Sequence, residues 1–231
     1  MKTLLTILAG LGFAVVLGVG ITWYAFSRGS DLSYGQEIIA TFDTPDGPVT
    51  ARGLSHINYT PRSKILHGDI GNPSIKVSGN AAYGELGGKP VFLLLEYAAG
   101  TWAQTVMYKA FGSMDELDQI RSFKEAKDAL PLPERRYPRI VTFDDMADPS
   151  SVQIVPLDKL SEVFGEGISL RDVALRSSFV PLDTSKMRAM LPWLGQYPEP
   201  RLCKRNPDRD ATIPDCRHMS HGHFVMGRPE K

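Results

Sequence analysis

The chain has 231 residues, and its 26 lysines and arginines balance its 26 aspartates and glutamates, so its net charge at pH 7 is zero. A nucleic-acid-binding domain carries a clear basic excess, and this composition therefore gives no indication of a nucleic-acid partner. The 17 prolines and 21 glycines predict a loop-rich protein with many short elements, long enough for one soluble domain or two small ones.

The N-terminal segment is the most distinctive part of the sequence. Between Lys2 and Arg28, the 25 residues 3–27 carry no charge and are mostly apolar. A helix that crosses the hydrocarbon core of a membrane needs about 20 such residues. Aromatic residues typical of a membrane interface lie at the end of the run: Trp23, Tyr24 and Phe26. We therefore expect residues 1–30 to form an N-terminal membrane anchor with one transmembrane helix.

A cleavable signal peptide is the competing interpretation of this segment. The apolar core of a signal peptide is usually about 7–15 residues long and ends at an Ala-x-Ala-like site. The run here is longer and contains no Ala-x-Ala site, which favours an uncleaved signal-anchor. Positive residues stay on the cytoplasmic side. Lys2 and the amino terminus lie at one end, and Arg28 is followed by Asp31 and Glu37 at the other. The resulting charge bias is small, and it favours a cytoplasmic N-terminus and an external domain.

Strands are predicted where apolar and polar residues alternate with period two. The predicted strands are 34–43, 49–59, 75–83, 91–97, 139–143 and 168–180, the last with a bulge. Turns at Pro45-Asp46-Gly47 and around Gly87-Gly88 join the first two pairs into hairpins. The run Val91-Phe92-Leu93-Leu94-Leu95 is apolar on both faces, which predicts a central strand covered on both sides.

Helices are predicted where apolar residues recur at helical spacing. The predicted helices are 103–110, one that begins at Ser113 and stops before Pro131, 158–164 and 187–194. Ser113 and Glu116 have the spacing of a capping box. Hairpins followed by helices and further strands predict an α+β fold over 31–195. We expect a mainly antiparallel sheet with a few short helices packed on one face, preceded by the transmembrane helix.

Residues 196–231 read as a Pro-rich, basic tail. The two cysteines of the chain, Cys203 and Cys216, both lie in this tail. In an oxidising compartment they are predicted to form a disulfide, which would stabilise the fold by about 3 kcal/mol in the chain-entropy model. Two thiols of a cytosolic protein would give the same sequence pattern, so this prediction agrees with an external domain without establishing it.

A possible metal site lies at the end of the tail. Cys216, His218, His221 and His223 fall within eight residues, and imidazole and thiolate are the usual ligands of zinc and copper. A second half-site with metal-like spacing is missing from the sequence. The alternative is a disulfide with exposed histidines on the tail, and we therefore predict no cofactor, with zinc or copper binding as the competing hypothesis.

No catalytic residue is predicted. The segment Ser220-His221-Gly222-His223 resembles the Ser-His-Gly-Cys signature of the L,D-transpeptidases, but a histidine cannot replace their cysteine nucleophile. Other polar residues could form a hydrolase site only if the fold brought them together: Ser63, Lys64, His67 and Asp69. The prominent acidic residues are assigned to a helix start and a turn: Asp115, Glu116, Asp144 and Asp145.

Four segments resemble a group of small membrane-anchored bacterial proteins of unassigned function. They are 137–145, 148–152, 164–168 and 191–194. The similarity covers roughly residues 85–195 and leaves out the Cys/His segment. This resemblance implies a bacterial inner-membrane setting and brings no activity with it.

These observations predict a single-pass protein of the bacterial inner membrane with a cytoplasmic N-terminus and a periplasmic domain. Because no catalytic constellation is recognisable, we expect a non-enzymatic binding or envelope accessory module with a protein or envelope partner. A metal-binding protein that uses the C-terminal Cys/His cluster and an envelope hydrolase with an unrecognised site are the alternatives.

Overall fold

The structure is a computed structural model, and it describes residues 32–60, 74–97, 116–202 and 219–226. The predicted anchor and the predicted helix 103–110 lie outside these residues. Within the described part of the chain, no helix is both long and apolar enough to cross a membrane. The chain forms two compact units, one of 1–33 and 58–76 and the other of 34–57 and 77–231.

The first unit is described only at the ends of three strands, 32–33, 58–60 and 74–76. Within this unit the hydroxyl of Ser33 donates a hydrogen bond to Oδ1 of Asn58. The second unit holds the other described residues and every site discussed below.

The described residues form a mainly antiparallel sheet with a few short helices. The strands are β1 (Leu32–Asp43), β2 (Val49–Thr60), β3 (Ser74–Asn80), β4 (Ala82–Leu86), β5 (Lys89–Tyr97), β6 (Leu130–Pro131), β7 (Pro138–Phe143), β8 (Val152–Ile154), β9 (Ser169–Ser178) and β10 (Val225–Met226). The helices are α1 (Glu116–Glu125), α2 (Leu160–Phe164) and α3 (Ser185–Met190). The strand order is β6-β9-β1-β2-β4-β5-β7-β8, and β3 pairs with both β2 and β10.

Both predicted hairpin turns are confirmed. In the turn between β1 and β2, the amide of Gly47 donates to the carbonyl of Thr44 at 3.0 Å, and the Thr44 hydroxyl donates to the Gly47 carbonyl at 2.6 Å. Between β4 and β5, Gly87 and Gly88 have φ angles of 55° and 77°. Positive φ at both central residues is the geometry that matches the twist of a two-residue hairpin.

The predicted bulge in the strand that became β9 is also confirmed. Phe42 of β1 pairs with Leu170, and Thr41 pairs with Asp172. Arg171 is therefore the extra residue on β9, and the register of the pair shifts at this point.

The predicted strand 75–83 is divided in the structure into β3 and β4. The break falls at Ala81, whose amide donates to the carbonyl of Phe224 at 2.8 Å. The two parts then separate, because β3 pairs with β10 whereas β4 pairs with β5. The partner that causes this break comes from the C-terminal end of the chain, where the sequence pattern gave no strand.

The sheet has an apolar core on each face. Val91 to Leu95 of β5 are all at most 4% exposed, so the predicted central strand is confirmed. On one face, here the α1 face, Phe123 of α1 meets Tyr34 with ring centroids 6.0 Å apart. On the other, here the α3 face, Met187 of α3 belongs to the cluster around Phe92. The helices thus cover both faces, not one as predicted, since β5 is apolar on both sides.

The described part of the predicted tail belongs to the core of the α3 face. Met219, Phe224 and Val225 are buried in the same cluster as Phe92 and Trp193. The Phe224 ring lies 5.4 Å from the Trp193 ring and 6.0 Å from the Phe92 ring, centroid to centroid. Residues 219–226 therefore pack into the core of the domain, whose predicted boundary is residue 195. Cys203 and Cys216 lie outside the described residues.

Candidate functional site

An open groove lies on the α3 face, and its volume is about 1090 Å³. Residues of β1, β2 and β9 line one part of it, and the segment after β9 together with α3 lines another. The groove thus lies where α3 and the apolar cluster beneath it leave neighbouring strands uncovered. Its surface has a charged part, formed by strand residues, and an exposed apolar part.

The charged part is a cluster of three side chains from three strands, here the Arg–Glu–Arg cluster: Glu37, Arg52 and Arg176. Glu37 and Arg176 are direct partners in the register of β1 and β9, so their side chains share one face. Glu37 Oε1 accepts from Arg52 Nη1 at 3.2 Å. Glu37 Oε2 accepts from Nε of Arg176 at 3.1 Å and also from Nη2 of that residue. One carboxylate therefore lies between two guanidinium groups.

The exposure of these side chains differs. The Glu37 side chain is only 16% exposed, whereas those of Arg52 and Arg176 are 50% and 43% exposed. The carboxylate is thus largely covered by the two arginines, and the arginines are the groups that solvent or a ligand can reach.

The apolar part lies on the segment that follows β9. Phe179 is 83% exposed and Val180 is 62% exposed, and both line the groove. Large apolar side chains with this much exposure indicate an interaction site when they lie next to each other at a concave surface. The residue pattern predicts a strand that includes both residues, whereas β9 ends at Ser178.

Hydrogen bonds from the sheet hold the backbone of this segment at Val180 and at Asp183, three residues further on. His56 Nε2 donates to the carbonyl of Val180 at 2.9 Å, because a carbonyl oxygen can only accept. Asn80 Nδ2 donates to the carbonyl of Asp183 at 2.6 Å. Since these donors come from β2 and β3, the sheet fixes the position of the exposed pair.

Helix α3 begins directly after this segment. Asp183 Oδ1 accepts from the amide of Ser185 at 2.8 Å. Hydrogen bonds from the side chain and backbone of Ser185 hold the pKa of the Asp183 carboxyl below its usual range. Lys186 of the same helix lines the groove and is exposed. The helix therefore adds a cation to the groove while its acidic neighbour Asp183 is engaged locally.

Tyr83 of β4 lines the groove beside the Arg–Glu–Arg cluster, since it pairs with Arg52 in the sheet register. Its hydroxyl donates to Glu85 Oε1 at 2.6 Å. Burial, then the hydrogen bond and charge of Glu85, raise the pKa of Tyr83 from 10.0 to about 12. The phenol is therefore a neutral donor throughout the physiological range.

The raised pKa gives a test by alkaline unfolding. Between pH 10.0 and about pH 12, the folded protein keeps the Tyr83 proton, whereas the unfolded chain loses it. The stability that this linkage contributes is therefore fully present below pH 10 and is lost as the pH rises through about 12. We expect Tyr83→Phe to flatten the fall in unfolding free energy over this interval, as measured by urea unfolding of the full chain at a series of pH values. Tyr197→Phe, at a residue that is 97% exposed, should leave the slope unchanged; equal slopes for both variants would contradict the assignment.

The two described histidines of the predicted metal cluster are buried, not exposed on a tail. They lie in a 3-10 turn, His221–His223, and are 7% and 4% exposed. His223 Nδ1 accepts from the amide of Ser220 at 2.9 Å and lies 3.1 Å from the Ser220 hydroxyl. Because Nδ1 accepts from a backbone amide within the same turn, the contact serves to close the turn.

His221 packs among aromatic rings. Its ring centroid lies 5.0 Å from that of Trp193, and within the described residues neither of its ring nitrogens has a hydrogen-bond partner. Within those residues, no three His, Cys, Asp or Glu side chains are grouped so that they could hold a metal ion. His218 and Cys216 lie outside the described residues, so zinc or copper binding at the full cluster stays a hypothesis.

Only some of the remaining candidate residues lie within the described part of the chain. Ser63, Lys64, His67 and Asp69 lie outside the described residues. Asp144 accepts from Gln153 Nε2 at 2.8 Å, and Asp145 Oδ1 accepts from the amide of Ala147 at 2.8 Å. These two carboxylates therefore hold the turn after β7, as expected from the sequence.

Comparison with known proteins adds no further information on the site. The chain matches no protein family model, no curated protein and no solved structure. The resemblance of residues 85–195 to small membrane-anchored bacterial proteins therefore remains a prediction from the sequence.

Proposed function

We propose that this chain is a single-pass protein of the bacterial inner membrane. Its N-terminus lies in the cytoplasm, and its periplasmic domain is a non-enzymatic module that binds a protein partner in the groove. The charge-free apolar segment 3–27 supports the membrane anchor. The groove of the α3 face supports the binding role.

The observation that carries the binding role is the exposed pair Phe179 and Val180 on a segment fixed by the sheet. Burying a Phe or Val side chain in an interface contributes roughly 1.5–3 kcal/mol. The backbone of the segment is already held by His56 and Asn80, so little ordering is needed at the moment of binding. Fixed aromatic and aliphatic side chains of this kind are the usual anchors of interfaces.

The polar groups of the groove favour recognition over catalysis. Glu37 lies between two arginines, and both of its carboxylate oxygens accept hydrogen bonds from them. Tyr83, with a pKa of about 12, is a poor proton acceptor near neutral pH. A general base needs a pKa near the working pH, which Tyr83 lacks, and the Glu37 oxygens are already engaged by the two arginines.

Site-specific photo-crosslinking in intact cells tests this proposal. A photoreactive phenylalanine analogue would replace Phe179 in one full-length variant and Leu157, which is 39% exposed and lies outside the groove, in a matched variant. We expect a discrete adduct from position 179, absent from position 157, to a protein that is accessible from the periplasm. The adduct should be lost when Val180→Ser is added, since this change removes the neighbouring apolar contact.

Two results would overturn the proposal. One is identical adduct patterns from positions 179 and 157, which would show that the groove has no specific partner. The other is an adduct confined to cytosolic proteins, which would contradict a periplasmic domain.

A further inference from the structure

Resting on the proposed binding role, we infer that the groove binds an extended peptide segment that carries a carboxylate close to an apolar side chain. The two arginines of the Arg–Glu–Arg cluster receive the carboxylate, and the exposed pair Phe179 and Val180 receives the apolar side chain. The partner is therefore an acidic segment of a protein.

The donor inventory of the cluster supports a carboxylate ligand. A guanidinium has five N–H donors on three nitrogens. Towards Glu37, Arg52 uses only Nη1, and Arg176 uses Nε and Nη2. Both side chains remain about half exposed, so each has further donors for a second acceptor. Paired guanidinium donors match the planar geometry of a carboxylate.

The balance of charge in the groove also favours an anionic ligand. Its cationic residues are Arg52, Arg176 and Lys186, and its acidic residues are Glu37 and Asp183. Glu37 is shared between two arginines, and Asp183 is engaged by Ser185 at the start of α3. Lys186 has no ion-pair partner within the described part of the chain. The charge left for a ligand is therefore positive and attracts an anionic group.

An unpaired acceptor in the groove favours a peptide over other anions. Asn80 lines the groove, and its Nδ2 donates to the Asp183 carbonyl. Its Oδ1 is buried and has no hydrogen-bond partner in the residues that the structure describes. An unsatisfied buried acceptor costs about 1–3 kcal/mol. A backbone N–H of an extended segment would supply the missing donor once the Asn80 side chain turned this buried oxygen towards the groove, whereas a carboxylate alone has no donor.

Selection from a library of short displayed peptides, with the full chain as bait, tests this inference. We expect the selected peptides to be enriched in Asp or Glu near an aromatic or aliphatic residue. Synthetic copies are then compared with the acidic residue kept or replaced by its amide, and with a free or an amidated C-terminus. This comparison distinguishes a side-chain carboxylate from a terminal one, and binding is measured by fluorescence anisotropy.

Arg52→Gln is the decisive variant. It should weaken binding of the acidic peptide about tenfold, since a hydrogen-bonded charge pair is lost. It should have little further effect on the peptide whose carboxylate has been removed, because the two changes remove the same interaction. The matched control is Arg171→Gln: Arg171 is also 50% exposed and paired with one acidic residue, Asp43, but does not line the groove.

The outcomes separate this inference from the proposed function. If Phe179→Ser weakens binding but removal of the carboxylate and Arg52→Gln do not, the acidic specificity is wrong while the groove remains a binding site. If none of these changes alters binding, or if no peptide is selected, both ideas fail. Equal losses of peptide binding for Arg52→Gln and Arg171→Gln would show that the effect comes from the overall charge of the domain. This result would also overturn the inference.

Discussion

Replacement of Trp193 by alanine is expected to destabilise the fold by about 3–5 kcal/mol. The Trp193 side chain is 2% exposed, and its ring centroid lies within 6 Å of those of Phe143, His221 and Phe224. Its Nε1 donates to the carbonyl of Met146 at 2.9 Å. The change therefore removes a large buried ring, leaves a cavity and leaves the Met146 carbonyl without its donor. Urea unfolding of the full chain, followed by far-ultraviolet circular dichroism, measures the loss.

Two further variants separate the contribution of the hydrogen bond from that of the buried ring and provide an exposed control. Trp193→Phe keeps most of the ring volume but loses the donor to Met146, and we expect it to cost about 1–2 kcal/mol. Tyr197→Ala removes another aromatic ring, but one that is 97% exposed, and should change the unfolding free energy by no more than about 0.5 kcal/mol. If Trp193→Ala were as mild as Tyr197→Ala, the ring cluster would not be the centre of this core.

This cluster also explains the position of the C-terminal segment. Trp193 contacts both His221 and Phe224, so the short run 219–226 is held by packing against a residue that precedes it by more than 25 positions. Burial of Phe224, at 0% exposure, and the bond from Ala81 to its carbonyl place β10 beside β3. The turn His221–His223 is thus part of the domain core.

The local elements could be predicted from the sequence because their signals are local. Gly87 and Gly88 between two apolar runs indicate a tight hairpin, and the structure has positive φ at both. The all-apolar run Val91 to Leu95 indicates a strand covered on both faces, and these residues are buried. In each case the pattern lies within a few residues and directly reflects backbone geometry or burial.

Contacts between distant segments could not be predicted in the same way. The division of 75–83 at Ala81 depends on Phe224, and no pattern in 75–83 contains that information. Residues 219–226 hold only a few apolar side chains within a Pro-rich, basic stretch, which is typical of a tail. The apolar group Phe224-Val225 beside the histidines was nevertheless a signal that this stretch could pack against a core.

The groove was missed for a related reason. Glu37 lies 15 residues from Arg52 and 139 residues from Arg176 in the sequence, and only the order and register of β9, β1 and β2 bring them together. Phe179 and Val180 were read as the end of a strand, and apolar residues of a strand are expected to be buried. Their exposure follows from where β9 ends, which is among the least certain features of any sequence prediction.

Replacement of Gly87 by alanine is the second change with a large expected effect, about 2–4 kcal/mol. Gly87 has a φ of 55°, a conformation that L side chains rarely adopt. A Cβ at this position would also overlap the carbonyl oxygen of Phe164 and lie 3.0 Å from its carbonyl carbon. The β4–β5 turn and the end of α2 would have to separate, and this contact would loosen.

Gly88→Ala is the matched control for this change. Gly88 has a φ of 77°, and a Cβ there would meet nothing within 4 Å. Its alanine variant therefore carries only the backbone strain, about 1–2 kcal/mol, and the difference between the two variants measures the contact with Phe164. Urea unfolding of both full-length variants gives this difference directly. Equal losses would show that the turn and α2 do not press against each other, whereas a larger loss for Gly87→Ala establishes that the close approach of the Phe164 carbonyl, in addition to the turn geometry, requires glycine at position 87.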